Sequence, residues 1–300
     1  MLRLFAENLL PVFLAAGAGY VVALRWNVDP RPLARVAFNV FAPCLVFGAI
    51  VDSDLPPSDL LRMAGLALSV LLTTGVVAGL AARWFGWRRS LVAAIVLVVA
   101  LPNAGNYGLS VSLFAFGEAG LAQASVFFVM SAVLTFTLGV FVASMGRASL
   151  AEATRGLIRV PAIWAVALAI VMMKAGWSLP LPLARTVGLF SQASIPTFLV
   201  LLGMQLHGNG WRGPVRPLAL AASARLLLSP LIAIGIVPVL GLEGAARQAG
   251  VLQTAMPSAI ITIVLATEYD VEPTFVTSAV FVTTLLSPLT VTPLLAYLGA

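Results

Sequence analysis

Apolar side chains dominate ten stretches of this chain, at about residues 4–24, 32–50, 60–82, 90–114, 119–145, 160–177, 183–206, 217–240, 244–267 and 274–298, with most of the charge gathered between them. A bilayer's hydrocarbon core, about 30 Å thick, is crossed by roughly 20 apolar residues in a helix, so the pattern predicts ten transmembrane α-helices. The intervening loops are short and punctuated by Pro30 and Pro32, Pro56 and Pro57, Pro180 and Pro182, and Pro214 and Pro217, where a helix stops or starts. The longest hydrophilic stretch, GRASLAEATRGLIR from Gly146 to Arg159, lies mid-chain. It is expected to be a cytoplasmic linker (146–159) between two halves, residues 1–145 and 160–300.

Composition points the same way. A 300-residue chain that is 61% hydrophobic and 9% charged, with a mean hydropathy of +1.05, has more apolar surface than a water-soluble globule of its size can bury. The expected fold class is an all-α integral membrane protein. A net charge of +6 and a pI of about 10.4 would suggest nucleic acid in a soluble protein. Here the basic residues fill short loops, where they act as topology signals and form no DNA-binding face.

One side collects Arg25, Arg31, Arg35, Arg83, Arg88, Arg89, Arg147, Arg155, Arg159, Arg212 and Arg216, and the other only Arg3, Arg62, Lys174, Arg185 and Arg247. The richer side is expected in the cytoplasm and both termini outside. The acidic EYDVEP loop, Glu268 to Pro273, then lies inside, since acidic residues weigh little in this rule. The first stretch, Leu4 to Leu24, ends without a small-residue cleavage motif and reads as a retained helix. One cysteine, Cys44, and one histidine, His207, are too few for a disulfide or a metal centre. Gly17-Ala18-Gly19 has no strand around it to make a nucleotide fingerprint; with Gly75 and Gly79 it reads as small-residue helix packing. No cofactor is expected.

The halves resemble each other. PLARVAFNVFAPCLVFG from Pro32 and PLARTVGLFSQASIPTFLVLLG from Pro182 both open on Pro-Leu-Ala-Arg and carry a later proline, Pro43 or Pro196. GWRRSLVAAIVLVVALPNAG from Gly86 and GLEGAARQAGVLQTAMPSAI from Gly241 align without a gap on Pro102 and Pro257. Five spans per half is an odd number, so the second half enters the membrane from the opposite side. The result is a 5+5 inverted-topology repeat, a common architecture of secondary transporters.

Proline inside a helix removes a hydrogen bond and clashes with the carbonyl four residues back, so Pro102 should free the carbonyl of Val98 and Pro257 that of Gln253. Non-helical backbone survives in hydrocarbon only when covered by protein or facing a water-filled cavity. Gly105 and Gly108 ease unwinding, and Asn103 and Asn106 bring amides that donate and accept. Two such breaks, in helices 4 and 9, are expected to cross and present half-helix N-termini to an anion, especially a carboxylate. Tyr107, Ser110, Gln253, Thr254 and Ser258 flank the breaks. Pro43, Pro196, Pro230 and Pro288 read as ordinary kinks.

PNAGNYGLSV (102–111), QTAMPSAI (253–260) and ARLLLSPL (224–231), set on ten spans in two halves, resemble the auxin efflux carrier family, bacterial relatives of the plant PIN-formed auxin exporters in the superfamily of the bile acid:sodium symporters. The resemblance implies a scaffold of spans 1, 2, 6 and 7, a moving transport domain of spans 3–5 and 8–10, and an elevator-like motion. It also implies a homodimer joined through scaffold helices, a bacterial inner-membrane location, and auxin-like or dicarboxylate substrates. Plant members carry a long loop between the halves, whereas this chain has only residues 146–159. The sodium symporters use acidic residues near their crossing helices, whereas Glu118, Glu243, Glu268, Asp270 and Glu272 all lie near span ends.

Arg225 is the one basic residue placed deep in a span, and such a charge points to function. Three roles are open to it: binding a substrate carboxylate, tethering the crossing by donating to freed carbonyls, or snorkelling to the surface. Asn39 and Gln192, each four residues before a proline, are expected to hold helices together by hydrogen bonds. The sequence therefore predicts a secondary carrier for a small organic anion, with Asn103, Asn106, Tyr107, Gln253, Ser258 and Arg225 at the substrate and Pro102, Gly105, Gly108 and Pro257 at the crossing. An enzyme is not expected, since the spans hold no acidic pair and no catalytic dyad.

Overall fold

A computed structural model of the protein describes residues 1–52, 57–144, 160–207 and 213–300. The expected linker at 146–159, with Arg147, Arg155 and Arg159, lies outside the described residues, as do Pro56 and Arg212. Among the described residues every regular element is a helix, which is how a chain in hydrocarbon pairs its own peptide groups. In chain order they are α1 (Leu2–Trp26), α2 (Pro30–Val51), α3 (Pro57–Trp84), α4 (Arg89–Ala100), α5 (Ala104–Ala143), α6 (Pro161–Ala175), α7 (Leu181–Leu206), α8 (Val215–Leu240), α9 (Gly244–Thr254), α10 (Ile261–Glu268) and α11 (Pro273–Leu298). Seven of these, α1, α2, α3, α5, α7, α8 and α11, are long and apolar enough to cross a membrane, and α4 and α6 are shorter apolar helices.

At 40 residues, α5 would reach about 60 Å if straight, twice the hydrocarbon thickness. It is not straight. Gly117 has φ +64° and ψ −160°, a conformation open to a residue without Cβ. Ser112 O lies only 3.0 Å from where a Cβ on Gly120 would stand, whereas eight residues of straight helix span about 12 Å. Gly117 therefore folds α5 back on itself.

Proline shapes three further helices. Pro11, Pro43 and Pro230 each follow a widened, π-helical turn, at Phe5–Leu9, Ala37–Phe41 and Ala224–Leu228. Proline offers no N–H and crowds the preceding turn, and a wider turn accommodates both.

Packing gathers α1, α2, α6 and α7 together, with α7 along α1 and α6 and α7 on α2, and α3, α4, α5, α8 and α9 together, with α9 on α5 and α3 on α4. Helices α1 and α7 meet backbone to backbone: a Cβ on Gly19 would run into Val200, and one on Gly203 into Ala16. Small residues permit this approach. Gly75 and Gly79 likewise face Ala100 and Val96 of α4, at 3.1 and 3.0 Å from the position of a Cβ, but a Cβ on Gly17 would meet nothing within 4 Å among the described residues. Leu14, Leu80, Val239 and Leu289 are among the large apolar side chains exposed on the outside, the surface a lipid-facing protein presents. At one end Glu272 accepts from Arg88 at 2.9 Å and Ser90 at 2.7 Å; at the other end of α3, Arg62 donates to Gly241 O at 3.2 Å.

Gly203→Ala should lower stability by about 1–3 kcal/mol, the usual effect of overpacking, read as a lower melting temperature in detergent. Gly17→Ala should leave the melting temperature in place. Equal melting of the two would contradict the packing described.

Candidate functional site

Helix α4 stops at Ala100, two residues before Pro102, and Leu101 turns extended at φ −107° and ψ +99°. Helix α9 stops at Thr254, three residues before Pro257. The two unwound stretches cross antiparallel with Pro102 opposite Ser258. The Asn103 N–H donates to Pro257 O at 2.7 Å and the Ala259 N–H to Leu101 O at 2.9 Å. The broken helices thus form a minimal ladder with each other.

The carbonyls released by the breaks also find donors. Val98 O accepts the Ser258 hydroxyl at 2.7 Å. Val99 O accepts Arg225 Nη1 at 2.6 Å, and Arg225 Nη2 donates to Ser229 Oγ at 2.6 Å and to Thr254 O. Gln253 O, four residues before Pro257, accepts the Met256 N–H at 3.4 Å. The Ser258 N–H donates to Thr283 Oγ1 of α11 at 3.1 Å.

Donors on the other side are left over. The first N–H groups of a helix have no intrahelical partner. At the start of α5 no side chain caps them, and among the described residues the Gly105 and Asn106 N–H groups make no hydrogen bond. The same holds for Ile260 and Ile261 at the start of α10. Asn103 Nδ2, Asn106 Oδ1 and both amide atoms of Gln253 are buried without partners, where buried polar atoms are ordinarily satisfied. An uncapped helix N-terminus carries partial positive charge, so this side of the crossing can receive an anion.

The structure brings the other sequence-predicted residues to the same place. Asn106 Nδ2 donates to Gln205 Oε1 of α7 at 3.4 Å. Tyr107 is fully buried, accepts from Ser287 Oγ at 3.1 Å and sets its ring edge-on to Phe13 of α1. Gly105 leaves room for the Phe128 ring, 2.9 Å from the position of a Cβ, and a Cβ on Gly108 would strike the Gln253 side chain. Arg225 has no exposed surface, which removes the snorkelling alternative.

Asn39 and Gln192 depart from expectation. Both are exposed, and Asn39 donates to Arg35 O of its own helix at 2.8 Å. A short side chain on a helix reaches the carbonyl one turn back more readily than a neighbouring helix.

Three residues escaped the sequence reading: Thr283, Ser287 and Gln205. Thr283 and Ser287 lie one turn apart on α11, a hydroxyl repeat of period four that could have flagged a polar face. An apolar groove, open to the outside, runs between α1 and α11, lined by Phe5, Phe13, Leu285, Pro288, Leu289 and Thr292; Phe13 also meets Tyr107.

The chain matches the membrane transport protein family over residues 4–151 and 143–295. It is 31% identical over 287 residues to an uncharacterised transporter of Methanothermobacter thermautotrophicus, with 94% of each chain covered. It is 27% identical over 311 residues to the "putative malonate transporter" of Rhizobium meliloti, covering 95% of this chain and 93% of that one. Against auxin efflux carrier component 1 of Arabidopsis thaliana the identity is 27% over 142 residues, 45% of this chain and 23% of the plant protein.

Ser258→Ala should strand Val98 O in the interior and destabilise the protein by about 1–3 kcal/mol, measured as a fall in melting temperature. Ser69, bonded to Gly65 O of its own helix, is the control: Ser69→Ala should change stability by less than about 0.5 kcal/mol.

Proposed function

This chain belongs to the membrane transport protein family, the auxin efflux carriers, and is a multi-pass membrane transporter; from that premise we propose that it carries a small organic anion, bound by its carboxylate at the crossing of α4–α5 with α9–α10. The observation that carries the reading is the group of unpartnered donors on one side of that crossing. The Gly105 and Asn106 N–H groups and the Asn103 amide would take the carboxylate with no net protein charge. The apolar groove at Phe13, whose ring meets Tyr107, opens to the outside and would give the body of the molecule an apolar surface next to the crossing. Both terminal nitrogens of Arg225 already donate to carbonyls and Ser229, and only its Nε is without a partner, which favours a monocarboxylate with an apolar body. The name of the rhizobial relative supplies the second reading, a dicarboxylate.

The proposed architecture is ten spans in two inverted five-helix repeats. The antiparallel pairing of the breaks supports it, as does a family match in two stretches that meet at residues 143–151. The proposed motion is an elevator, with α1, α2, α6 and α7 as scaffold and the remainder moving. On this reading Asn106–Gln205 and Tyr107–Phe13 are contacts between the two bodies. Both termini lie outside, in the plasma membrane, with Arg88 and Glu272 together at the cytoplasmic end. A second copy would shelter Asn39 and Gln192, exposed polar groups that lipid solvates poorly.

Efflux needs no coupling ion. A cytoplasm-negative potential supplies roughly 2.3 kcal/mol per charge per 100 mV, about fiftyfold accumulation outside. The rival reading is a sodium- or proton-coupled symporter of the bile-acid type, and strict dependence of proteoliposome transport on a sodium gradient would decide for it.

The direct test is a thermal-shift screen of organic acids on the purified protein, because a ligand of the native state raises its melting temperature. A carboxylate with an apolar body should stabilise more than malonate, and no stabilisation by any organic acid would reject the anion site. Asn103→Ala should weaken the ligand by about tenfold or more, the loss of one charge-assisted bond, and leave the ligand-free melting temperature unchanged. Pro257→Ala should let α9 continue as a regular helix and slow transport; wild-type rates would count against the crossing.

A further inference from the structure

We propose that Arg225 is a resident cation, filling with a side chain the position between two half-helix C-termini where a broken-helix carrier coordinates its coupling ion. The idea rests on the transporter reading for its consequence in transport, but not for its stability readout. Helices α4 and α9 end within a few residues of the crossing, and the guanidinium bonds the Val99 carbonyl in the last turn of α4 and the Thr254 carbonyl at the end of α9. Each helix C-terminus carries about half an elementary negative charge, so the pair presents about one, and a guanidinium supplies one.

Among the described residues no carboxylate shares in this: the ion pairs are Arg3–Glu7, Arg62–Asp59 and Arg88–Glu272, and Arg225 has no exposed surface at which bulk water could solvate it. A buried charge persists only when paired. Here the partners of the two terminal nitrogens are two peptide carbonyls and the Ser229 hydroxyl, with Nε left unpartnered; carbonyls at half-helix C-termini are the kind of oxygen that coordinates sodium in other broken-helix carriers. The side chain is aimed by its own segment: Arg225 sits on the π-helical turn Ala224–Leu228 that precedes Pro230, and Ser229 of the same segment steadies it. The positive ends of α5 and α10 lie across the crossing, unneutralised and free for an anion.

The test compares melting temperatures of purified protein in sodium, potassium and choline chloride at equal ionic strength, with and without millimolar guanidinium. The wild type should melt alike in all. Arg225→Ala should melt lower in choline and regain temperature with sodium or guanidinium, because the emptied position accepts a free cation. Arg225→Lys should show no such dependence. An Ala variant as stable as wild type in choline, or one equally destabilised whatever the cation, overturns the proposal, since a purely structural arginine predicts no rescue.

Should Arg225→Ala not fold, Arg225→Lys and Arg225→Gln are compared instead. Lys should exceed Gln in proteoliposome transport by about tenfold or more, the scale of a bond to a charged group. Equal rates, or a Lys variant that fails to fold along with the neutral ones, overturns it. If the wild type transports no organic acid, the transporter reading fails while the cation comparison still decides the role of Arg225.

Discussion

A peptide group without a partner is not tolerated in hydrocarbon, where each costs several kcal/mol, and this chain breaks two helices inside apolar stretches. The breaks survive because they complete each other. Leu101 to Asn103 pairs with Pro257 to Ala259 in a two-bond ladder, and the carbonyls left above it are taken by Ser258 and Arg225. Neither break is viable without the other, which ties the two halves of the chain together at one point.

The pairing is lopsided. Carbonyls at the C-terminal ends of α4 and α9 have donors, while N–H groups at the starts of α5 and α10 and the amides of Asn103 and Gln253 have no acceptors. Such an imbalance divides the crossing into a sealed side and a receptive side. On the proposed reading the sealed side would contribute rigidity, through Arg225 and the hydroxyls of Ser229 and Thr283, and the receptive side affinity for negative charge. Tyr107 and Asn106 carry the receptive side to Phe13 of α1 and Gln205 of α7, where a movement of one group of helices against the other would be felt.

Much of this was legible in the sequence for a simple reason: proline and glycine act through local backbone geometry. Pro102 and Pro257 mark where α4 and α9 end, and the gap between the apolar stretches 90–114 and 119–145 marks the fold-back at Gly117. Partners from elsewhere in the chain were not legible. Nothing in the spacing around Ser258 announces that its hydroxyl serves Val98 and its N–H serves Thr283. Arg225 had three physically reasonable fates, and only tertiary placement separates them. A polar group in a span needs a partner, which for Asn39 suggests a neighbouring helix, but Arg35 O one turn back meets that need. Gly17 and Gly19 are alike in sequence, yet only Gly19 meets α7, at Val200, among the described residues.

The central claim is that the two matched breaks meet and leave bare helix N-termini to hold a carboxylate. An experimental density map of the protein in lipid nanodiscs, with a stabilising organic acid bound, tests it most directly. The account predicts Asn103 N and Pro257 O within hydrogen-bond distance and carboxylate density against the Gly105 and Asn106 backbone and the Asn103 amide. Ligand density away from the crossing, or α4 and α9 running on as unbroken helices, would contradict it.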